Sequence, residues 1–205
     1  MSITIIIIIA TVVASLVAFR DGNFRNKWIH NPYTVYHRKE YWRLLTSGFI
    51  HADYMHLFFN MYAMYLFGEV VEDRFGYFFG EKAGVYFLGL YLSGIVVANL
   101  PDLIQKKNQA YFNSLGASGG VSSIVFCSVI LEPLNKLMMF PIPIPMPAYI
   151  FAAIYIAYSI YMEKRQMDNV NHMAHLWGGV WGVAFIAFTK FETIPAFYQQ
   201  ILSSF

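Results

Sequence analysis

Four polar residues interrupt otherwise apolar stretches of the chain, and their types suit acyl transfer. Ser118 lies in Asn113-Ser114-Leu115-Gly116-Ala117-Ser118-Gly119-Gly120-Val121, where a polar loop passes into an apolar run. The glycines around it let backbone and ligand approach closely, because glycine has no Cβ. A hydroxyl at a helix start lies beside unpaired backbone N–H groups and the positive end of the helix dipole, which favours developing negative charge. A serine hydroxyl is a weak nucleophile until a base removes its proton, and His175 is of the type that does so, titrating near neutrality. His56 and Asn60, one helical turn apart, could join the Ser118 backbone N–H in donating to the oxyanion of a tetrahedral intermediate. No Asp or Glu shares the apolar run of His175, which points to a Ser–His dyad rather than a triad; Asp168 in the preceding loop is the remaining candidate orienter. The same glycines also read as a GxxxG packing motif from Gly116 to Gly120, with Ser118 a small spacer.

The elements that must position these residues follow from composition. The 205 residues are 58% hydrophobic, 19% aromatic and only 13% charged, against about 25% charged in soluble domains. The reading is a multi-pass membrane protein with one domain spanning 1–205. A net charge of +2 and no basic aromatic-rich patch argue against nucleic acid as a partner. Cys127 is the single cysteine, excludes an intrachain disulfide, and reads as a small core residue.

Six apolar runs set the expected spans: Ile3–Phe19, Tyr54–Val71, Ala83–Asn99, Ser118–Leu131, Ala148–Met162 and Met173–Thr189. The first reaches roughly 26 Å at about 1.5 Å per residue, close to the hydrocarbon thickness. No basic residue precedes it, so it reads as a retained span and not a signal peptide. The fourth reaches only roughly 21 Å. It must begin below the membrane surface, which submerges Ser118 within reach of an aqueous opening.

Between the first two runs, Arg20–Ala52 forms a long first loop with Trp28 and Trp42, rings suited to the membrane interface. Loops of that length are functional or folded in their own right. Leu100–Leu115 reads as a polar loop, and Glu163–Asn171 as a short charged loop beside the site. Phe140–Pro147, with proline at every second position, reads as an extended linker. The fold class is an all-α membrane protein, a bundle of six transmembrane helices with a long first loop. Alternating spans start the second, fourth and sixth on one membrane face. His56, Asn60, Ser118 and His175 then share one shallow depth, and intramembrane polar residues imply function by default.

The chain resembles the rhomboid family of intramembrane serine proteases over nearly its full length. Trp42-Arg43 resembles the family's WR pair in the first loop. His51-Ala52-Asp53-Tyr54-Met55-His56 followed by Asn60 resembles HxxxxHxxxN, and Glu72-Asp73-Arg74 resembles the ExR that ends that helix. Gly116-Ala117-Ser118-Gly119 resembles the GxSG nucleophile motif. Ala174-His175-Leu176-Trp177-Gly178, with Gly182, resembles AHxxGxxxG. The resemblance implies Ser118 as nucleophile, His175 as general base, and His56, Asn60 and Gly116 at the oxyanion and substrate site. It implies cleavage of single-span transmembrane proteins in the lipid bilayer, near the top of a span, with no metal, no small-molecule cofactor and no nucleic acid.

Gly178 and Gly182 are expected to pack the sixth helix on the fourth. His51, Trp42 and Arg43 are expected to organise the first loop, and His172 to be a solvated loop residue. The expected location is a bacterial inner or cell membrane.

Two departures stand out. The position four after the nucleophile, commonly aromatic in the family and packed on the catalytic histidine, is Ser122. The family orientation, with a cytoplasmic N-terminus, puts ten of the fourteen Lys and Arg outside and leaves Arg74, Lys82, Lys136 and Lys190 within, against the positive-inside rule. Two other readings compete. One is a catalytically inactive rhomboid-like membrane protein that binds clients or serves quality control. The other is a metal site of His51, His56, His172 and His175.

Overall fold

The computed structural model describes residues 2–139, 142–165 and 171–205. In chain order the helices are α1 (Ile3–Arg20), α2 (Gly22–Trp28), α3 (Pro32–Arg38), α4 (Arg43–Thr46), α5 (Tyr54–Phe79), α6 (Ala83–Lys106) and α7 (Ser118–Leu131). A two-stranded sheet, β1 (Lys136–Met139) and β2 (Ile142–Pro147), leads into α8 (Ala148–Arg165), α9 (His172–Thr189) and α10 (Thr193–Leu202).

The helices are inverted relative to those of a water-soluble protein. In α1 the buried residues are Thr4, Ile7, Thr11, Ser15 and Ala18, a stripe that recurs every three or four positions. Ile6, Ile9, Val13 and Val17 face outward. A helix that hides hydroxyls and exposes branched aliphatics is solvated by lipid. Phe58, Phe59 and Tyr62 on α5, and Ile154 and Ile156 on α8, extend that surface.

By length and apolar content, Ile3–Arg20 and the stretch Tyr54–Lys106 qualify as membrane-crossing. α9 and α10 qualify only when joined across their 111° bend, and α7 is apolar but short. The expected six spans are therefore not each recovered on these grounds. Helix ends also differ from the ends of the apolar runs. α5 continues to Phe79 rather than stopping at Val71, and α6 passes Pro101 to Lys106, where a loop over Leu100–Leu115 was expected. Polar residues at a membrane edge leave the lipid without leaving the helix. Asp102 and Lys106, one turn apart, pair at 2.7 Å and support that last turn.

α7 is the hub. Every residue from Gly119 to Leu131 is buried, as expected of a helix that is apolar all round. α9 lies against it with backbone on backbone. A Cβ added at Gly178 would sit 3.0 Å from Gly119 Cα, and one at Gly182 would sit 2.9 Å from Ser123 Cα. The expected glycine seam between these helices is present, and it holds the helix bearing His175 against the helix that begins with Ser118.

The two ends of the bundle are tied differently. At one end the Glu72 carboxylate accepts the Ile3 and Thr4 N–H groups at 2.8 and 3.0 Å, capping α1. Arg74 pairs with Glu132 at the end of α7. The start of α1 and the ends of α5 and α7 therefore share one end, and the starts of α5 and α7 share the other.

At that other end, the expected long loop carries α2, α3, α4 and a 3₁₀ turn over Ser47–Phe49. Arg43 binds Glu40 Oε2 at 2.6 Å and donates to the Asn26 and Ile29 carbonyls at 2.6 and 3.0 Å, the organising role expected of it. Asn31 accepts the Thr34 N–H and donates to the Ala110 and Phe112 carbonyls, fastening this segment to the chain that approaches α7.

The proline-alternating segment is extended, as expected, over its described part. Beyond the expectation, it is paired: β2 runs antiparallel to β1 with Lys136 opposite Pro147, Leu137 opposite Met146 and Met138 opposite Pro145. Prolines spaced by two leave all the missing N–H donors on one edge, so the other edge stays able to pair.

Candidate active site

The chain enters α7 along a backbone held by the first-loop segment. The Ser47 carbonyl accepts the Gly116 N–H at 3.0 Å, and His51 Nε2 accepts the Ala117 N–H at 3.2 Å. Ser114 exchanges both backbone hydrogen bonds with His30 at 2.9 and 3.0 Å. The other ring nitrogen of His51 meets Ser15 Oγ of α1 at 2.9 Å, and that hydroxyl donates to the Phe49 carbonyl at 3.1 Å. Nδ1 therefore carries the His51 proton and Nε2 is the acceptor. Burial pushes this imidazole down to about 3, with the His56 ring adding to the effect and Asp53 opposing it. A neutral ring in this tautomer is what the Ala117 contact requires.

Gly116 has φ +126°, and a Cβ there would lie 2.6 Å from His56 Cε1. Both the backbone conformation and the approach of the His56 ring demand glycine. Ser118 is the first residue of α7, and Ala117 before it supplies no side-chain cap. The first-turn N–H groups of a helix have no intrahelical acceptor, so an anion placed there meets donors.

A cavity of about 1170 Å³ opens at this point. Ser118, His175, His56, Asn60 and Gly116, the five residues singled out from sequence, all line it. Ser122, Val125, Ala63, Phe67, Phe151 and Tyr155 form its apolar and aromatic side. Asn60 donates one amide hydrogen to the His56 carbonyl at 3.0 Å, which orients the amide and leaves its second hydrogen for another acceptor.

His175 lies in the first turn of α9, and Asn171 caps that helix by accepting the Ala174 N–H at 3.0 Å. The Asn171 amide in turn donates to Asp102 Oδ2 at 2.5 Å and to Ser114 Oγ at 3.2 Å. The start of α9 is thus fastened both to α6 and to the loop before Ser118.

His172 departs from its expected solvated state. It is buried as the first residue of α9, with its ring edge-on to Tyr158 at 5.8 Å and to His175 at 5.9 Å between centroids. Helix α9 begins earlier than its apolar run, and that places His172 on the packed face. Asp168, the candidate orienter, lies outside the described residues, as do residues 166–170 of the charged loop. Among the described residues no three His, Cys, Asp or Glu side chains converge on a point that could hold a metal.

The residue that sequence reasoning missed is Tyr155 of α8. Its hydroxyl lies 2.8 Å from His175 Nδ1, and the two rings are near parallel at 14° with centroids 6.2 Å apart. Tyr155 is itself packed against Phe151 at 6.1 Å and Phe126 at 6.0 Å. The available signal was the smallness of Ser122, which left a ring-sized space beside the histidine without naming the ring that fills it.

A lipid-solvated helical bundle with a serine and a histidine facing one internal cavity defines a class, the integral membrane proteins with hydroxyl and imidazole groups inside the bundle. The rhomboid-domain family model matches residues 38–191, and the chain belongs to the rhomboid family. It is 31% identical over 162 residues to the mitochondrial RHOMBOID-like protein 12 of Arabidopsis thaliana, covering 72% of this chain and 45% of that one. It is 26% identical over 165 residues to the rhomboid protease GluP of Bacillus subtilis, covering 80% of this chain and 29% of that one. A shorter match, 33% over 82 residues, is to the inactive RHOMBOID-like protein 8 of Arabidopsis thaliana, covering 38% of this chain and 22% of that one. The aligned region spans less than half the length of each of these relatives. Their names span a mitochondrial protein, a bacterial protease and an inactive protein, so the expected bacterial membrane gains no support from them.

Proposed function

We propose that this chain is an intramembrane serine endopeptidase that cuts single-span transmembrane proteins with a Ser118–His175 dyad, from a bundle of six membrane-crossing helices that forms one domain. His175 takes the Ser118 proton as Oγ attacks the scissile carbonyl carbon. The resulting oxyanion is stabilised by the Ser118 backbone N–H, the His56 ring and the second Asn60 amide hydrogen. The intermediate collapses, the C–N bond breaks, and His175 gives its proton to the departing amine. Water from the cavity then hydrolyses the acyl-enzyme by the same sequence in reverse roles. Gly116 keeps the approach to the oxyanion site clear of a Cβ.

The observation that carries this reading is the convergence of Ser118 and His175, from different helices, on one cavity that also receives His56 and Asn60. Membership in a family that includes a named protease supports it. The test is cleavage of a single-span reporter in reconstituted bilayers. Ser118→Ala is expected to abolish cleavage while the thermal unfolding midpoint stays within a degree or two of wild type. A mutant that still cuts would sink the proposal. Failure of wild-type Ser118 to react with a fluorophosphonate would favour a binding protein without catalysis.

A further inference from the structure

A neutral imidazole has one N–H and one lone pair, and a general base must keep the lone pair on the nitrogen that faces its substrate proton. Serine hydrolases meet this need with a carboxylate that accepts the other N–H. At His175, Nδ1 meets the Tyr155 hydroxyl at 2.8 Å.

If Tyr155 donated to Nδ1, Nε2 would carry the proton and the ring could not act as a base toward Ser118 through that nitrogen. A tyrosine hydroxyl can also accept, and it does so when its own hydrogen has another destination. Ser122 and Ser159 are the hydroxyls near the Tyr155 oxygen that can supply one. The order Nδ1–H to Tyr155 oxygen, then Tyr155 O–H to a serine oxygen, leaves the lone pair on Nε2.

We propose that Tyr155 is the positioning residue for His175. Its oxygen accepts the Nδ1 hydrogen and selects the tautomer that can take the Ser118 proton, and its ring fixes the plane of the imidazole. The proposal rests on the reading of His175 as the general base. The small residue at 122 then leaves room for a ring delivered from α8, and Ser122 or Ser159 receives that ring's hydroxyl hydrogen. The phenyl rings of Phe151 and Phe126 hold Tyr155 in place. Because the contact crosses from α8 to α9, the histidine is in its working form only while α8 is packed on α9.

Among the described residues, these titratable groups surround His175. His172 of α9 lies 5.9 Å away between centroids. On α8 stand Tyr158 beside His172, and Glu163, whose carboxylate accepts the Met173 N–H at 3.2 Å. α7 presents the hydroxyls of Ser118 and Ser122. His56 of α5 lines the same cavity, and the Asp102–Lys106 pair of α6 reaches α9 through Asn171. The Tyr155 hydroxyl is the group placed at hydrogen-bonding distance from Nδ1.

The test uses the full chain and Tyr155→Phe, which keeps the ring and removes the oxygen. With a single-span reporter, kcat is expected to fall roughly 10- to 100-fold with KM within about twofold. The acid limb of the kcat/KM profile is expected to move to lower pH, since an imidazolium without its acceptor is less stable. Unchanged kcat together with an unchanged acid limb would overturn the proposal. A second measurement needs neither activity nor a variant. Nitrogen-15 chemical shifts of the wild-type His175 ring at neutral pH are expected to report Nδ1 protonated and Nε2 bare, and a ring protonated at Nε2 would overturn the proposal. If wild type cuts no reporter, the base assignment fails, while the nitrogen spectrum still decides whether Tyr155 sets the tautomer.

Discussion

At the scale of single residues, the site depends on groups that do no chemistry. His51 stands in the family-like motif with His56, yet its two ring nitrogens are committed to Ser15 and Ala117, and its ring is fully buried. In the proposed mechanism its effect would run through the backbone, since Ala117 is the residue before Ser118, the proposed nucleophile. His51→Phe keeps the ring volume and leaves the Ala117 N–H without an acceptor in a buried position. A buried donor stripped of its partner costs about 1–3 kcal/mol, so the unfolding midpoint should drop and cleavage should weaken with it. His51→Gln offers an acceptor and a donor on one side chain and should recover most of both. Equal loss in the two variants would show that ring shape, and not the hydrogen bond, is what position 51 supplies.

At the scale of elements, the seam between α7 and α9 decides where His175 lies. Gly182 meets Ser123 backbone atoms, which cannot rotate away as a side chain would. Gly182→Ala is therefore expected to push the helices apart and to cost about 1–3 kcal/mol, the usual penalty for overpacking. Cleavage should fall by at least about tenfold, because small displacements of positioned groups are expensive in rate. Gly22→Ala, where an added Cβ meets nothing within 4 Å, is the control and should change neither. A Gly182→Ala variant with wild-type cleavage and wild-type stability would contradict the seam.

This seam was legible in the sequence, because glycines spaced by four after a histidine have few other uses within a span. So was the convergence of Ser118, His175, His56 and Asn60, since alternating helices carry motif order into depth. Tyr155 was not legible. Nothing in the local pattern of α8 distinguishes it from Tyr149, Tyr158 or Tyr161, and the contact exists only once α8 is rotated against α9. The helical character of residues 22–49 was hidden for a related reason: short amphipathic turns at a membrane edge lack the apolar period that marks a span. The pairing of β2 was obscured by prolines that remove donors from one edge only, and the burial of His172 by a helix that starts before its apolar run.

At the scale of the whole molecule, the bundle is closed at the site end by a segment that holds two buried neutral histidines. His30 and His51 are both fully buried. Burial pushes His30 down to about 4, with Arg43 and Lys106 assisting and Asp102 opposing, and pushes His51 down to about 3. Neither ring nitrogen of His30 has a hydrogen-bond partner among the described residues, so no hydrogen bond compensates a charge there. An unfolded histidine titrates near pH 6.5. Above that value both states are neutral at these positions and pH has no effect through them. As pH falls below it, the unfolded chain binds two protons that the folded chain refuses, so stability falls. Each proton is worth about 1.4 kcal/mol per pH unit, so the slope is about 2.7 kcal/mol per unit between about pH 6 and pH 4.5, easing as His30 and then His51 titrate in the folded state. Equilibrium unfolding in mixed micelles across that range measures it. His30→Gln and His51→Gln should each remove about 1.4 kcal/mol per pH unit of the slope, whatever they do to stability at pH 8. A wild-type protein as stable at pH 4.5 as at pH 7 would mean that these rings take up protons while folded, and that the segment holding Gly116 and Ala117 opens more readily than its burial implies.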